Sequence, residues 1–400
     1  MRLGTANTYD TTLNNLMKRQ VELSSQQEKL SSGKKINRAS DDPTGAAQAE
    51  RSLTRNTRIE TEERALVLQR NAITLAESTL GDTTALMQSL RELVVKANNG
   101  AMNSANRVSL AEEMRSLRDQ LFASANRADT NGIPLFGGLG SASTPFVDPA
   151  TGVVFNGIPG QRSSTEVSLP GAMDGQAIFM NVATGNGTFN VGLGAANTGT
   201  MWASPGEVVT PAALTGDNYT VTFTVSATVP PVTTYDVVDT TTALPVPPAA
   251  RPYVDGQAIS FDGLSFVSHG VPKNGDTIQI TPSTQTNVFE VVDRAIAAID
   301  GAIGDNIMTH ATNRALVEFD AGMDRIQSAR GQAGDWLNRG DRISDSQNSR
   351  SIQLQSDRSK AEDIDMVQGI SDFQKFQTGY QAALQSYASV QRLSLFNFIN

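Results

Sequence analysis

The chain has no cysteine, so neither a disulfide framework nor thiol chemistry is open to it. Its two histidines, His269 and His310, fall in different regions and outside any HExxH pattern, which leaves zinc without an evident ligand set. Proline is nearly absent from both ends: fifteen of sixteen lie between Pro134 and Pro282, and Pro43 is the exception. No run of 18 apolar residues occurs, so no segment is expected to insert in a membrane. The opening MRLGTANTYD has no apolar core, which argues against a cleaved secretory signal and leaves export without cleavage open. A net charge of −9 and a pI near 4.9 argue against nucleic acid as a partner. Most of the acidity sits in the middle, where Arg162, Arg251 and Lys273 face ten Asp and Glu, so the two ends are almost balanced.

What is present at the ends is seven-residue periodicity. Ile59, Leu66, Ile73, Leu80, Met87 and Val94 stand seven apart, and no proline interrupts the chain between Pro43 and Pro134. That predicts one helix of roughly 55 residues, about 80 Å long, which needs another helix laid along it. A first helix is predicted from about Thr5 to Ser32. Tyr9, Leu16, Leu23 and Leu30 form one row, with Ala6, Leu13, Gln20 and Gln27 as a weakened companion. Gly33 is placed to end it as a left-handed cap. Ser40-Asp41-Asp42-Pro43 reads as the cap and first turn of the long helix, which closes at Asn98-Asn99-Gly100. A third helix begins near Ser104, and its stripe of Leu110, Met114, Leu117 and Leu121 is expected to lie on the long one.

The middle changes period. Tyr219, Val221, Phe223 and Val225 alternate with threonines as a half-buried strand, and Ile259 to Phe266 reads as a hairpin turning at Asp262-Gly263. Ala227 to Pro252, rich in Thr and Pro, reads as loop or irregular edge. The last third returns to helix: a short piece on Val288, Val292, Ile296 and Ile299, then a long one opening at Leu316, Phe319, Met323 and Ile326. After a break around Ser359 to Asp365 comes a final helix. Phe373, Tyr380 and Tyr387 form one row there, beside Ile370 and Leu384, and Phe376, Ala383 and Val390 form a second. The expected fold is therefore α+β, a long antiparallel coiled-coil-like helical bundle from both chain ends with an inserted all-β domain. The expected boundaries are 1–135 helical, 136–285 β and 286–400 helical.

Catalytic signals are missing. Gly138-Leu139-Gly140 and the glycines from Gly185 to Gly194 lack phosphate-loop spacing, and turns explain them. The acid pairs Asp41/Asp42 and Asp363/Asp365 sit at predicted helix starts, where capping explains them. Lys34, Lys35 and Arg38 read as a solvated turn or as ion-pair donors. The expectation is a non-enzyme without cofactor or metal.

Leu30-Ser31-Ser32-Gly33-Lys34-Lys35-Ile36-Asn37, followed by Ser40-Asp41-Asp42-Pro43 and Gly45, closely resembles the amino-terminal signature of bacterial flagellins and their relatives. Its family-motif residues are Ser32, Gly33, Ile36, Asn37, Asp41, Asp42 and Pro43. Asn131-Gly132-Ile133 with Leu135-Phe136, and Glu362-Asp363-Ile364-Asp365, are similar to the family's closing amino-terminal and opening carboxy-terminal elements. The resemblance covers about the first 140 and last 110 residues. Both chain ends, Met1-Arg2-Leu3 with Thr5 and Tyr9, and Leu393-Ser394-Leu395-Phe396-Asn397-Phe398-Ile399-Asn400, look more like the members that join hook to filament than like flagellin itself. The resemblance implies a flagellar subunit, exported without a cleaved signal peptide to an extracellular position. It implies a ring of such subunits, contacting hook-associated protein 1 below and flagellin above. It also implies a cytoplasmic export chaperone on the carboxy-terminal helix. Exposed apolar stripes need neighbours. Leu16, Leu23, Leu30, Ile59, Leu66, Ile73, Leu80, Phe373, Tyr380, Leu384 and Tyr387 are accordingly the expected assembly interface. Packing of the Leu16–Leu23–Leu30 and Phe373–Tyr380–Tyr387 rows inside one subunit's own bundle stays open. So do three other readings: the filament subunit itself, a secreted coiled-coil adhesin, and, weakest, an enzyme hidden in the middle.

Overall fold

The structure, a computed structural model, describes residues 5–99, 102–140, 144–301 and 304–396, with backbone alone for 5–9 and 390–396. The terminal residues that carry part of the resemblance, Gly100, and the side chains of Ala6, Tyr9 and Val390 lie outside the described residues. Six α-helices are described: α1 Thr5–Ser32, α2 Pro43–Ala97, α3 Ser104–Ala125, α4 Val288–Gly301, α5 Asp305–Glu362 and α6 Met366–Phe396. Strands occupy the middle of the chain, from Phe146–Val147 to Gln285–Thr286. The chain divides into two compact units, and the divisions between them fall within helices. Unit 1 holds residues 1–65 and 342–400, and unit 2 holds 66–341, so α2 and α5 each give part of their length to both.

In unit 2 the heptad row becomes a packing seam: Leu66, Ile73, Leu80, Met87 and Val94 are all buried. Polar rungs between α2 and α5 show how the helices run. Arg91 Nε donates to Asp320 Oδ1 at 2.8 Å, Arg330 Nη2 donates to Glu77 Oε1 at 2.8 Å, and Arg70 pairs with Asp341. Numbers on α5 rise as those on α2 fall, so the helices are antiparallel. At Gly322 they come close, since a Cβ there would stand 3.3 Å from the Met87 Cε.

The stripe of α3 buries Leu110, Met114 and Leu121, with Leu117 half-buried, but its main partner is α4 rather than the long helix. Phe122 meets Phe289 edge-on at 5.8 Å, and Arg118 clamps Asp293 through Nε at 3.0 Å. The α4 stripe, with a buried face of Val288, Val292, Ile296 and Ile299, is strong enough to draw α3 onto it.

Two antiparallel sheets share one core. The larger runs in the order Phe189–Leu193, Thr277–Pro282, Tyr219–Val225, Thr233–Asp239, Leu244–Pro252. The smaller pairs Ala258–Phe261 with Leu264–His269, which also takes Trp202–Ala203 and Glu207–Val208. Val191, Val221, Phe223, Val237 and Ile278 of the first pack with Ile259, Phe261, Leu264 and Phe266 of the second, a β-sandwich arrangement. The hairpin turn is as expected: Asp262 and Gly263 both have positive φ, at 42° and 80°, the signature of a type I′ turn. A Cβ on Gly263 would also strike the Thr210 carbonyl at 2.3 Å.

Ala227 to Pro252 corrects the sequence reading, because it holds two strands. Thr233–Asp239 turns Tyr235, Val237 and Asp239 inward, a period of two disguised by threonine and aspartate. Leu244–Pro252 carries four prolines and survives as a strand because it is the sheet edge, where half of its N–H groups need no partner. Among the described residues no helix is long and apolar enough to cross a membrane.

Candidate assembly surface

The signature segment builds a folded joint inside unit 1. Gly33 has φ 71° and ends α1 as a left-handed cap. The chain then runs briefly alongside the link between α5 and α6. The Lys35 N–H donates to the Glu362 carbonyl at 2.8 Å, and the Ile364 N–H donates to the Gly33 carbonyl at 3.0 Å. The Lys34 ammonium binds the Glu362 carboxylate, which also accepts from Arg358 Nε at 3.0 Å. Ile36 is buried, and Ser32 Oγ donates to Asn37 Oδ1 at 2.8 Å.

Two carboxylates fold the rest of the joint. Asp41 Oδ2 accepts the N–H groups of Arg38 at 3.0 Å and Asn37 at 3.1 Å. Asp42 Oδ1 caps α2, accepting the Gly45 and Thr44 N–H groups at 3.1 Å and the Thr44 hydroxyl at 2.7 Å, with Pro43 in the first helical position. Hydrogen-bond donors hold both carboxyls below their ordinary pKa: the Arg38 and then the Asn37 N–H for Asp41, the Gly45 N–H and then the Thr44 hydroxyl for Asp42. Glu362 is lowered as well, first by Lys34 and further by Arg358, against the opposing effect of burial. Gly45 has no room for a side chain, since a Cβ would lie 2.5 Å from the Asp42 carboxylate and 2.6 Å from Ile36. The second acid pair divides. Asp365 Oδ1 caps α6 through the N–H of Val367 at 2.9 Å, while Asp363 takes the Ser359 hydroxyl at 2.5 Å instead.

Beyond the joint, α1 and α6 lie antiparallel. Gln26 Nε2 donates to the Gly369 carbonyl at 3.0 Å, and Arg19 approaches Gly379 further along. Gly369 is buried there, and a Cβ would stand 2.9 Å from both Leu30 and Ile364. Leu16, Leu23 and Leu30 on α1 and Phe373, Tyr380 and Tyr387 on α6 are half-buried, as are Leu13, Phe376 and Ala383. Two helices side by side shelter one face of each and cannot enclose it. No described α1 side chain is buried.

The expected interface residues therefore separate into three groups. Leu66, Ile73 and Leu80 are at most 1% exposed inside unit 2, so the structure removes them from any surface: their heptad row is satisfied by the chain's own helices. Ile59 and the two rows of α1 and α6 are half-buried. Leu384 is 40% exposed. The sequence reading also passed over a more exposed apolar set, Met17 and Val21 on α1 and Val367 on α6, with Val367 82% exposed, while Ile370, named only beside the aromatic row, is exposed as well. Met17 and Val21 are four apart, a short stripe on another side of α1 that the seven-residue count hides.

No group of three or more metal-ligating side chains occurs among the described residues. His310 is buried in unit 2 with Nδ1 2.9 Å from the Ala203 carbonyl, and burial pushes its pKa below the ordinary value. His269 stacks on Trp202 at 4.4 Å. Both histidines are structural in their contacts.

Residues 4–141 match the family described as the bacterial flagellin N-terminal helical region. Over 154 residues, 38% of this chain and 48% of the relative, the chain is 33% identical to flagellar hook-associated protein 3 of Salmonella typhimurium. It thus spans about half the length of the curated relatives it matches. Among solved structures it is similar to the flagellar junction protein FlgL from Legionella pneumophila, at 29% identity and a TM-score of 0.68. That match covers 74% of this chain and 99% of the other. FlgL from Xanthomonas campestris gives 26% identity and a TM-score of 0.69, covering 78% and 99%. Over part of its length the chain is thus similar in sequence to flagellar hook-associated protein 3, and in fold it is similar to the solved flagellar junction proteins.

Proposed function

We propose that this chain is a structural adaptor of the bacterial flagellum, seated in the junction between hook and filament and without catalytic activity. The observation that carries the reading is the composition of unit 1. Its helices carry leucine, phenylalanine and tyrosine rows, yet these rows are only half-buried, and Met17, Val21, Val367 and Ile370 face solvent. Such a surface is completed by neighbours. Copies of the chain associate through α1 and α6 into a ring. Hook-associated protein 1 lies on one side of it and flagellin on the other. A cytoplasmic export chaperone covers α6 before export, which proceeds without a cleaved signal peptide. The helical regions 1–135 and 286–400 pair as the assembly part, and the β region, 136–285, faces solvent.

Deleting the gene tests this. Non-motile cells with intact hooks, no filaments and flagellin monomer in the medium are the expected result. Absence of flagellin altogether would make the chain the filament subunit, and normal filaments would remove it from the flagellar axis.

A further inference from the structure

We propose that α5 contains a built-in soft stretch, residues 327–340, which opens locally before the rest of the helix. Two independent features converge on it. The first is a pair of glycines that packing does not explain. Gly322 and Gly340 have reasons to be glycine: a Cβ would press on Met87 in the first case and on Leu169 and Arg70, at 3.0 and 3.1 Å, in the second. Gly331 and Gly334 have none, since nothing lies within 4 Å of the Cβ that either would carry. In a helix interior each glycine weakens helix formation about fivefold relative to alanine.

The second feature is sparse anchoring. Phe319 and Ile326 are fully buried before the stretch, and Ile343 is buried after it. Between Ile326 and Ile343 the only buried side chains are two alanines, Ala329 and Ala333, while Trp336 and Leu337 are half-buried. The remaining ties are the Arg330–Glu77 and Arg70–Asp341 pairs and the Arg339 bond to the Thr165 carbonyl, all part-exposed and each weak. Few buried apolar contacts joined to low helix propensity define the low-stability end of a structure. The consequence is conformational: within the part of α5 that lies in unit 2, this is the place where the helix bends or frays, while Phe319 and Ile326 before it and Ile343 after it stay packed.

Amide hydrogen exchange on the intact chain, followed by mass spectrometry, tests this. Peptides from 327–340 should exchange faster than those covering 312–326. In a Gly331→Ala/Gly334→Ala double variant, exchange in that stretch should slow on the order of tenfold, with the flanks unchanged. Gly322→Ala serves as the opposite control and should not slow exchange. Uniform protection along α5 overturns the proposal. So does a fast stretch indifferent to the double alanine variant, because the glycines would then not be its cause.

Discussion

Leu80 and Leu23 are both leucines on a seven-residue row, and the structure assigns them opposite consequences. Leu80 is fully buried in unit 2, so Leu80→Ala removes three carbons from a closed site. The expected cost is about 3 kcal/mol, the transfer of those carbons plus the cavity left behind. For a unit of this size that lowers Tm by roughly 6–12 °C. Leu23 is half-buried in the α1–α6 layer, so Leu23→Ala leaves an open notch rather than a cavity, at about 1 kcal/mol or less. The two tryptophans, Trp202 and Trp336, both lie in unit 2, so their fluorescence reads that unit alone, while far-ultraviolet circular dichroism reads all helices. Leu80→Ala should shift the tryptophan transition. Leu23→Ala should leave it in place, barely change the monomer's helicity, and reduce incorporation into flagella. Equal thermal penalties for the two variants would refute the reasoning, because α1 and α6 would then be a sealed core. A Leu23→Ala protein that assembles normally would do the same.

Removing residues 366–400, which takes away α6, should leave the tryptophan transition of unit 2 unchanged, lower helicity by more than the length of α6 because α1 loses its companion, and stop incorporation. Glu362 has a lowered folded pKa, so its contribution is present above the ordinary value of 4.5 and is lost as pH falls through the folded value. Acid titration followed by helicity should show a step below pH 4.5 that Glu362→Gln abolishes. His310 is also lowered, mainly by burial and secondarily by Arg314 beside it, so the unfolded chain takes up its proton first. Stability of unit 2 should therefore decline as pH falls below about 6.5, and His310→Gln should flatten that slope in the tryptophan-monitored melt.

The helical parts were legible because their signals are local and repeated. Pro43 and Asp42 start α2, Gly33 ends α1, and heptad spacing carries through Val94. The Asp262-Gly263 hairpin was legible for the same reason. Thr233–Asp239 was not, since Thr234, Asp236 and Asp239 mask an alternation that only the Tyr219–Val225 partner makes visible. The burial of the heptad rows was half legible. A heptad row states that a helix needs a partner and is silent on whether that partner is the same chain. Leu66 and Leu23 carry the same signal. What separates them is that α2 in unit 2 meets α5 and a shell of loops, while among the described residues the main partner of α1 is α6.

The pairing of α1 with α6 joins the earliest described helix to the last. A ribosome finishes one long before the other, so a chain that stops short of α6 leaves α1 without the helix it packs against. A requirement for translation through α6 is thereby built into the proposed assembling surface. Only a chain that extends through α6 forms the two-helix layer, and a growing structure that seats subunits by that layer, as proposed above, passes over shorter fragments without a separate inspector.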